Sequence, residues 1–346
     1  MPRQTAAAPM DALAKTIEQG DQQRMKALLE AFREKGGTRL PQWIGDRRLI
    51  HEAARRGQLE MVQLLADWED VSVIDKFHRS ALMFAARDGH LEIVRFLAEQ
   101  EKKQDSDSAG GPAENIHSMR DKYGQSAAEF ALDGGNLEVL RHLASLAPLP
   151  LAADGGTLLC LAIAIREKEC ALFLADECDL AHEKAGGWTA LALSIQENWR
   201  DVAEKIAGRA GHGLGKGGAS QLGSPERIAA YAAFVGATAC LPLFLPAFDW
   251  RWRGEGGGGE NHDVWGLALR SSAPAAQKSQ CLSLLQEAAP LSLARSVLER
   301  HGADVLPLLF ARVEEHELRA EMTAGKIAKA PKLAPATPRP KKERRL

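Results

Sequence analysis

One stretch of the chain, from Arg79 to Ala98, constrains the fold more than any other. It has the pattern of a helix, a tight turn and a second helix. Ala85 and Ala86 are small enough to let two helices touch, and Gly89 supplies a helix C-cap with a positive φ. The apolar side of the second helix is formed by Leu91, Ile93, Val94, Phe96 and Leu97. Since one such hairpin cannot bury its apolar surface alone, the stretch requires copies of itself on either side.

Four further stretches repeat this pattern at regular intervals. The copy that starts at Arg48 lies 32 residues before the copy that starts at Ser80, and the copy at Ser126 lies 46 residues after it. Thr157 follows Ser126 at 31 residues, and Thr189 follows Thr157 at 32 residues. Five phased copies predict a solenoid of helix-turn-helix units, in which the one long interval holds an insertion of about 13 residues.

These copies resemble the ankyrin repeat, whose signature is a turn, the motif T-P-L-H-x-A, a Gly-His pair and a second helix, at a period near 33. The segment Ser80 to Ala85 stands at the motif, and Gly89-His90 stands at the Gly-His pair. In texture the copies are similar to the divergent ankyrin repeats of some protozoan parasites. The resemblance implies an all-α ankyrin-repeat solenoid of helix-turn-helix units with short finger turns.

The copies also depart from the family signature. The motif Pro is replaced in every copy, and only the first copy keeps the motif His, at His51. The fourth and fifth copies have Arg166-Glu167 and Asn198-Trp199 where Gly-His is expected. We expect the fold to survive these changes, because helix packing depends mainly on the small and apolar positions. By resemblance, His51 and His90 are expected to hydrogen-bond the turns between repeats.

Shifts in composition divide the chain into regions. Weaker copies of the pattern flank the five, and those in residues 225–322 are interpreted either as degenerate ankyrin-like helical repeats or as an unrelated helical cap. The predicted order is a disordered N-terminus at 1–10, an ankyrin array at 11–208 with a polar insertion at 101–119, a Gly- and Ser-rich break at 209–224, the degenerate repeats at 225–322 and a disordered basic tail rich in Pro and Lys at 323–346.

The overall charge balance hides an asymmetry. The formal net charge is −2, but Lys326 to Leu346 hold eight Lys or Arg and one Glu, so this segment carries +7 and the remainder −9. The five cysteines fit no zinc pattern, and Cys170, Cys240 and Cys281 are predicted to be reduced core thiols. No apolar run is long enough to span a membrane. These features predict a monomeric cytoplasmic protein, with the nucleus as the alternative.

The sequence offers no constellation typical of an enzyme. The His51-Glu52 pair lacks the second His of a zinc protease, since Arg55 stands there. The glycines from Gly213 to Gly218 match G-x-G-x-x-G by letter, but they follow a predicted helix instead of a buried strand, and the segment is interpreted as a linker. We therefore predict a non-catalytic protein that needs no cofactor and no metal.

The resemblance implies that a protein partner binds on the concave surface formed by the finger turns and the first helices. Exposed aromatic and Arg side chains dominate binding energy at such interfaces. Phe77, Tyr123 and Trp188 are expected at or near finger tips, although some rings are expected to fold back onto neighbouring turns. The candidate partner-binding residues are Arg47, Arg55, Lys76, Phe77, Arg79, Arg87, Asp88, Lys122, Tyr123, Gln125, Asp133, Trp188 and Gln196.

Two further segments are candidates for binding. Trp250, Arg251 and Trp252 border a Gly-rich stretch and are interpreted either as cover for a core end or as a secondary contact with a protein or nucleic acid. The basic tail residues, a candidate nuclear-import or anionic-partner signal, are Lys341, Lys342, Arg344 and Arg345.

Three functional hypotheses stay open at this point. The first is a scaffold that binds a protein partner on the finger surface. The second is a nuclear or nucleic-acid-associated adapter that uses the basic tail, although the overall charge disfavours nucleic acid as the main ligand. The third is a host-directed effector of a pathogen, which would use the same binding chemistry as the scaffold.

Overall fold

A computed structural model describes residues 7–34, 48–107, 119–153, 156–178, 190–210, 225–251, 263–302 and 304–323. The chain forms two compact units, Met1–Ser224 and Pro225–Leu346. Within the described residues, the regular elements are helices, joined by turns and by two isolated β-bridges. The prediction of an all-α repeat architecture is thereby confirmed.

The first unit consists of consecutive helix pairs. The bounds of its helices are α1 Ala7–Gln19, α2 Gln22–Glu34, α3 Leu49–Arg55, α4 Leu59–Ala66, α5 Ala81–Arg87, α6 Leu91–Asp107, α7 Ala127–Asp133, α8 Leu137–Leu146, α9 Leu158–Ala164, α10 Lys168–Glu177, α11 Ala190–Gln196 and α12 Arg200–Ala210. The odd-numbered helices from α3 onward pack against one another as an inner layer, and the even-numbered helices form an outer layer. The pair α1–α2 stacks on α3 and α4 in the same way, so it acts as a starting hairpin.

The inner helices are short and almost entirely buried, and this explains their composition. In α5, Ala81, Ala85 and Ala86 are 0% exposed, and together with Leu82 they let the flanking helices approach closely. Each inner helix starts at a position where a side-chain cap is needed, because the first N–H groups lack partners within the helix. That cap is supplied by Ser80, Ser126 and Thr157.

The third residue of an inner helix can connect its repeat to the next finger. His51 accepts a hydrogen bond from the Arg48 amide at Nδ1 and bonds the Val73 carbonyl oxygen through Nε2 at 2.9 Å. Glu129 holds the equivalent position in α7, where it accepts from the Ser126 amide at 2.8 Å and from the Ala153 amide at 2.8 Å. The structural function expected for His51 is confirmed, and Glu129 performs the same function with a different donor and acceptor pattern.

A second set of links lies at the turn between the two helices of each repeat. Every such turn in the described array contains a residue with positive φ, and after three of the glycines the next side chain bonds a carbonyl oxygen of the preceding repeat. After Gly57, Gln58 donates to the Ile17 carbonyl at 2.7 Å, and after Gly89, His90 bonds the Arg55 carbonyl at 3.0 Å. These bonds confirm the structural function expected for His90.

The later repeats replace these carbonyl links with ion pairs. Asn136 still donates to the carbonyl oxygens that end α5, at 2.7 and 2.9 Å. Glu167 places a carboxyl group where the earlier repeats have an amide or imidazole side chain, and here the repeats are joined by Arg166–Glu197 at 3.1 Å and Lys168–Asp201 at 2.7 Å. Because exposed ion pairs contribute little net free energy, the fourth and fifth repeats depend mainly on apolar packing.

Three helices extend into segments that the sequence analysis placed outside the repeat helices. Helix α1 begins at Ala7, inside the segment 1–10 that was expected to be disordered, because the first turn of a helix tolerates Pro9, whose missing N–H has no intrahelical partner there. Helix α6 continues to Asp107, so the start of the predicted insertion 101–119 is helical. Helix α12 extends to Ala210, and the rest of the predicted break at 209–224 lies outside the described residues.

The second unit also consists of packed helices, which range from 4 to 17 residues in length. Its helices are α13 Pro225–Val235, α14 Leu241–Phe244, a 3₁₀ turn at Leu245–Ala247, α15 Val264–Arg270, α16 Ala275–Ala288, α17 Leu291–His301 and α18 Pro307–Thr323. Helix α13 packs on α15, while α14, α16 and α18 follow one another on the other side. The predicted tail at 323–346 lies beyond the described residues apart from Thr323, which ends α18.

Two buried polar side chains hold the second unit together. Asp263 is 2% exposed; it caps α15 through the Gly266 amide and pairs with Arg300 at 2.5 Å and His301 at 3.0 Å. Burial by itself would raise the pKa of Asp263, but these hydrogen bonds and charges lower it to about 2. Gln286 accepts from two amides at the start of α18 and caps that helix from α16.

The cysteines serve the core. All five are free thiols, and Cys160, Cys170, Cys240 and Cys281 are buried, which confirms the prediction for the three assigned to apolar helix positions. Burial raises the pKa of Cys170, Cys178 and Cys281 to about 11, so these thiols stay protonated at neutral pH.

Replacing Gly89 by Ala tests the turn geometry. Gly89 has φ +79°, and an added methyl group would meet Oδ1 of Asn136 at 2.6 Å, so we expect the free energy of unfolding to fall by about 1–2 kcal/mol. Gly208→Ala is the matched control, since nothing lies within 4 Å and the change favours helix α12, for a gain of up to about 1 kcal/mol. Urea denaturation measures both, and equal midpoints for the two variants would contradict the assignment.

Replacing Asp263 by Asn tests the buried ion pairs of the second unit. Asn keeps the cap on α15 but loses the charge, and we expect the unit to lose about 2–3 kcal/mol at neutral pH. In the unmodified chain, this stabilisation is present above the unfolded pKa of about 4 and is lost as the pH falls toward about 2. Hydrogen exchange of residues 264–301 in the intact chain measures the effect. Glu317→Gln, which breaks the exposed pair with Arg295, should change protection far less.

Candidate partner-binding surface

The second finger, residues 74–80, is a turn built around one buried carboxylate. Oδ1 of Asp75 accepts the amides of Phe77 at 2.8 Å and Arg79 at 2.9 Å, and Oδ2 pairs with the Arg79 guanidinium at 2.7 Å. Burial alone would raise the pKa of Asp75, but these hydrogen bonds lower it. Ile74 and Ser80 close the turn as an antiparallel bridge. The finger is therefore held by its own hydrogen bonds.

The third finger, residues 120–126, has the same geometry. Oδ1 of Asp121 accepts the amides of Tyr123 and Gln125, each at 2.8 Å, and Arg120 bridges to Ser126. Gly124 adopts a φ of +83° at the place where the second finger has His78 at +62°. The two fingers are structural copies at a separation of 46 residues.

Backbone and side-chain bonds connect one finger to the next. The Lys122 amide donates to the Phe77 carbonyl oxygen at 2.8 Å. Arg120 donates to the carbonyl oxygens of Gly124 at 2.5 Å and Leu151 at 2.8 Å. The fingers therefore form a connected row, and the side chains at their tips are displayed from a fixed backbone.

The two finger aromatics are placed differently. Phe77 is half-buried, with the Arg79 guanidinium 4.7 Å and the Lys76 ammonium 5.1 Å from its ring centroid. Tyr123 is 68% exposed, the largest exposed fraction among the large apolar and aromatic side chains reported as exposed in the described residues. The structure thus brings both rings to the finger row, but Phe77 folds back onto its own finger and Tyr123 projects from it.

Charged side chains lie at the C-terminal ends of the inner helices, which are the ends opposite the fingers. Glu52 pairs with Arg55 at 2.7 Å and with Arg56 at 2.6 Å, and these bonds outweigh burial and lower the pKa of Glu52 to about 2. The hydrogen bond to Glu52 raises the pKa of Arg55, and the charge of Asp88 contributes to the same shift. Along this wall, acidic and basic groups alternate.

The next repeat continues the alternation. Arg87 and Asp133 are both exposed. Partial desolvation of the Asp133 carboxyl group by neighbouring atoms raises its pKa, and the charge of Arg87 opposes this shift without cancelling it. Gln125 is half-buried, and Gln196 is exposed at the end of α11. The remaining candidates that lie outside the described residues are Arg47, Trp188, Trp252, Lys341, Lys342, Arg344 and Arg345.

Comparison with protein families finds a match for the central part of this array. Residues 50–149, which run from the second residue of α3 to beyond α8 and include both fingers, match the family model described as ankyrin repeats in three copies. These residues are ankyrin repeats. Ankyrin repeats are generally modules of protein–protein interaction and are typically non-enzymatic. A comparison with curated proteins gives no match.

A comparison with solved structures finds two ankyrin repeat domains that are similar to parts of this chain. The human ASB11 ankyrin repeat domain is 17% identical, with a TM-score of 0.49; the match covers 69% of this chain and 98% of that one. The ankyrin repeat domain of Bcl-3, described as a unique member of the IkappaB protein family, is 16% identical, with a TM-score of 0.48; the match covers 58% of this chain and 86% of that one.

In the segment Trp250 to Trp252, the structure describes the first two residues, and the Trp250 ring packs against other aromatic rings. Trp250 is half-buried, and its ring centroid lies 5.1 Å from that of Phe248 and 6.0 Å from that of the buried Trp265. Arg251 is exposed beside Asp249, whose carboxylate accepts its amide at 2.9 Å. The interpretation of Trp250 as cover for a core end therefore accounts for its position.

Two residues of the array have structural functions that the sequence analysis did not predict. Arg120 orders the third finger through two carbonyl oxygens, and Glu129 replaces the motif His. An alignment of the repeats could have identified Glu129, because it occupies the same third position of its inner helix as His51. In the described residues, no group of three or more His, Cys, Asp or Glu is placed to hold a metal ion. Over those same ranges, no helix has both the length and the apolar character to cross a membrane.

Paired substitutions at the finger aromatics separate display from structure. Tyr123→Ala should leave the free energy of unfolding within about 0.5 kcal/mol, because the ring is largely solvent-exposed. Phe77→Ala should cost about 1 kcal/mol, since it removes two cation–ring contacts. Urea denaturation of both variants measures the difference, and a larger cost at Tyr123 would show that its ring is structural.

Proposed function

We propose that the ankyrin array is a protein-binding scaffold whose site comprises the tips of the second and third fingers and the exposed C-terminal ends of the inner helices. The observation that carries this proposal is the exposed Tyr123 ring on a finger whose backbone is bonded to Asp121 and to its neighbours. An aromatic ring held on a fixed backbone is a typical anchor residue.

The rigidity of the finger row supports the proposal energetically. Binding normally costs free energy because loops and side chains must be ordered. Asp75 and Asp121 order their turns without a ligand, and the bond from Lys122 to Phe77 fixes the spacing between them. A partner therefore meets a surface that needs little further ordering.

The charges along the inner wall supply specificity. Arg55 with Asp88 and Arg87 with Asp133 present both signs at short intervals. Such a wall favours a partner segment whose charges have the complementary order and opposes others. We assign Gln125 and Gln196 to the margin of this site.

The basic tail supports a second candidate function. Its charge of +7 favours anionic partners, so an adapter that binds nucleic acid or enters the nucleus is the alternative to a cytoplasmic scaffold. A host-directed effector would use the same finger surface, and only its partner would differ. Steep salt dependence of RNA or DNA binding, lost when the chain ends at Gly325, would favour the adapter.

Affinity capture from lysate with identification by mass spectrometry tests the scaffold. We would compare the full chain, a chain ending at Gly325 and a Lys122→Ala/Tyr123→Ala variant. Phe234→Ala, which removes an exposed ring in the other unit, is the matched control. We expect partners that survive tail removal and Phe234→Ala but disappear with the finger variant. Partners that are lost only with the tail would transfer the function to the adapter.

A further inference from the structure

We propose that Cys160 and Cys178 form a site of reversible oxidation, at which a small disulfide such as oxidised glutathione joins the two side chains in a disulfide bond. The site lies in the fourth repeat, at the start of α9 and at the end of α10. It goes beyond the proposed protein-binding function, because it needs only these two thiols and an external oxidant.

Cys160 occupies a position that forms links elsewhere in the array. It is the third residue of α9, as His51 is of α3 and Glu129 is of α7. His51 bonds the Val73 carbonyl oxygen. Glu129 bonds the Ala153 amide. In both cases the bonded group belongs to the segment that follows the second helix of the same pair, so this position faces that segment.

The sulfur atom of Cys178 lies against the first turn of α9. Cys178 is the residue that follows α10, and its sulfur accepts a hydrogen bond from the amide of Leu159, the residue directly before Cys160. Cys160 directs its own sulfur to the same turn, because the Thr157 hydroxyl bonds it at 3.3 Å. Thr157 and Cys178 also line one groove. The two thiols therefore approach each other at the start of α9.

The other cysteines are less well placed to bond Cys178. Cys170 lies eight residues earlier along α10, and a rise of about 1.5 Å per residue puts the two Cα atoms about 12 Å apart. A disulfide bond needs Cα atoms within about 7 Å of each other. Cys240 and Cys281 are buried in the second unit. Cys160 is therefore the partner that the fold offers.

Solvent access decides which thiol reacts first. Cys178 is half-buried and lines a groove of about 310 Å³, whose lining also includes the segment Pro148 to Leu151. Cys160 is 1% exposed. We therefore assign Cys178 as the attacking thiol and Cys160 as the thiol that resolves the intermediate.

The oxidation consists of two exchange steps. The Cys178 thiolate attacks one sulfur of oxidised glutathione, which forms a mixed disulfide and releases one glutathione thiolate. The Cys160 thiolate then attacks the Cys178 sulfur and releases the second glutathione thiolate. Each protein thiol gives up its proton to solvent, and each released thiolate takes one up. Two protein thiols are thus oxidised to one disulfide, and one glutathione disulfide is reduced to two thiols.

The surroundings of Cys178 make the first step slow at neutral pH. Burial raises the pKa of the Cys178 thiol to about 11, and the charges of Cys160 and Glu177 add to this shift. The Leu159 amide and the charge of Arg209 favour the thiolate but do not cancel the effect of burial. Because the thiolate is the attacking form, the rate should rise about tenfold for each pH unit below that pKa.

Mass spectrometry of the full chain tests the proposal. The chain is incubated under native conditions with oxidised glutathione, blocked with iodoacetamide and digested with a protease. We expect linked peptides of Cys160 and Cys178 to exceed every other pairing about tenfold or more. Dithiothreitol should remove the link. In concentrated urea, where the native contact is lost, the preference for this pair should disappear.

Three variants assign the two thiols. Cys160→Ala removes the resolving thiol, so glutathione should stay attached to Cys178 as a mixed disulfide. Cys178→Ala removes the attacking thiol and should leave the buried Cys160 unmodified. Cys281→Ala removes a buried thiol of the other unit and is the matched control, which should leave the bond unchanged. Circular dichroism of each variant checks that the helices are retained.

Several outcomes would overturn the inference. In the unmodified chain, these are the absence of a Cys160–Cys178 link, glutathione that stays on Cys178, the same pairing preference in urea, and a rate that does not rise with pH. Loss of the link in Cys281→Ala would also contradict it. The unmodified chain decides the question if a variant fails to fold. Capture of partners by the finger row is measured separately, so the scaffold proposal does not fall with this one.

Discussion

The whole array depends on the need of each helix pair to bury its apolar face against the next. The inner helices have seven residues and are too short to be stable alone, so their helical state is secured by packing. Ala81, Ala85 and Ala86 in α5 remove the bulk that would keep neighbouring helices apart. Loss of close contact at one layer would therefore weaken the helices themselves as well as their stacking.

Polar groups set the register between these layers. His51 and Glu129 link an inner helix to the next finger, while Gln58, His90 and Asn136 link a turn to the preceding repeat. The links use backbone groups near helix ends and turns, where N–H and C=O groups lack partners within a helix. Different side chains achieve this at equivalent positions, because the backbone offers both amides and carbonyl oxygens at the repeat boundary. This explains how the repeats keep their fold without the motif Pro and, in most copies, without the motif His.

The proposed binding surface depends on how hydrogen bonds within each finger hold its turn. Asp75 and Asp121 are used to shape the turns, so the fingers need no partner to become ordered. Ordering the turns in this way turns carboxylates inward and leaves lysines and one tyrosine at the tips. The finger tips are thus positive on a chain whose body is acidic, and this contrast arises directly from how the turns are held.

The helix-turn-helix repeats, their phase and their turn residues could be predicted from the amino-acid sequence, because small, apolar and glycine positions recur at fixed spacing. It also indicated most of the finger candidates, since alignment of copies places Phe77 and Tyr123 at equivalent sites. The sequence did not predict that Phe77 folds back under Arg79 while Tyr123 projects into solvent. It also did not predict which ring Trp250 packs against, and the folded chain places it beside Trp265. The exposure of a side chain depends on neighbours that are distant in the chain, and a local sequence pattern does not show which residues these neighbours are. The function of Glu129 was missed for the same reason, because its bond to the Ala153 amide joins residues 24 positions apart and exists only when two repeats stack.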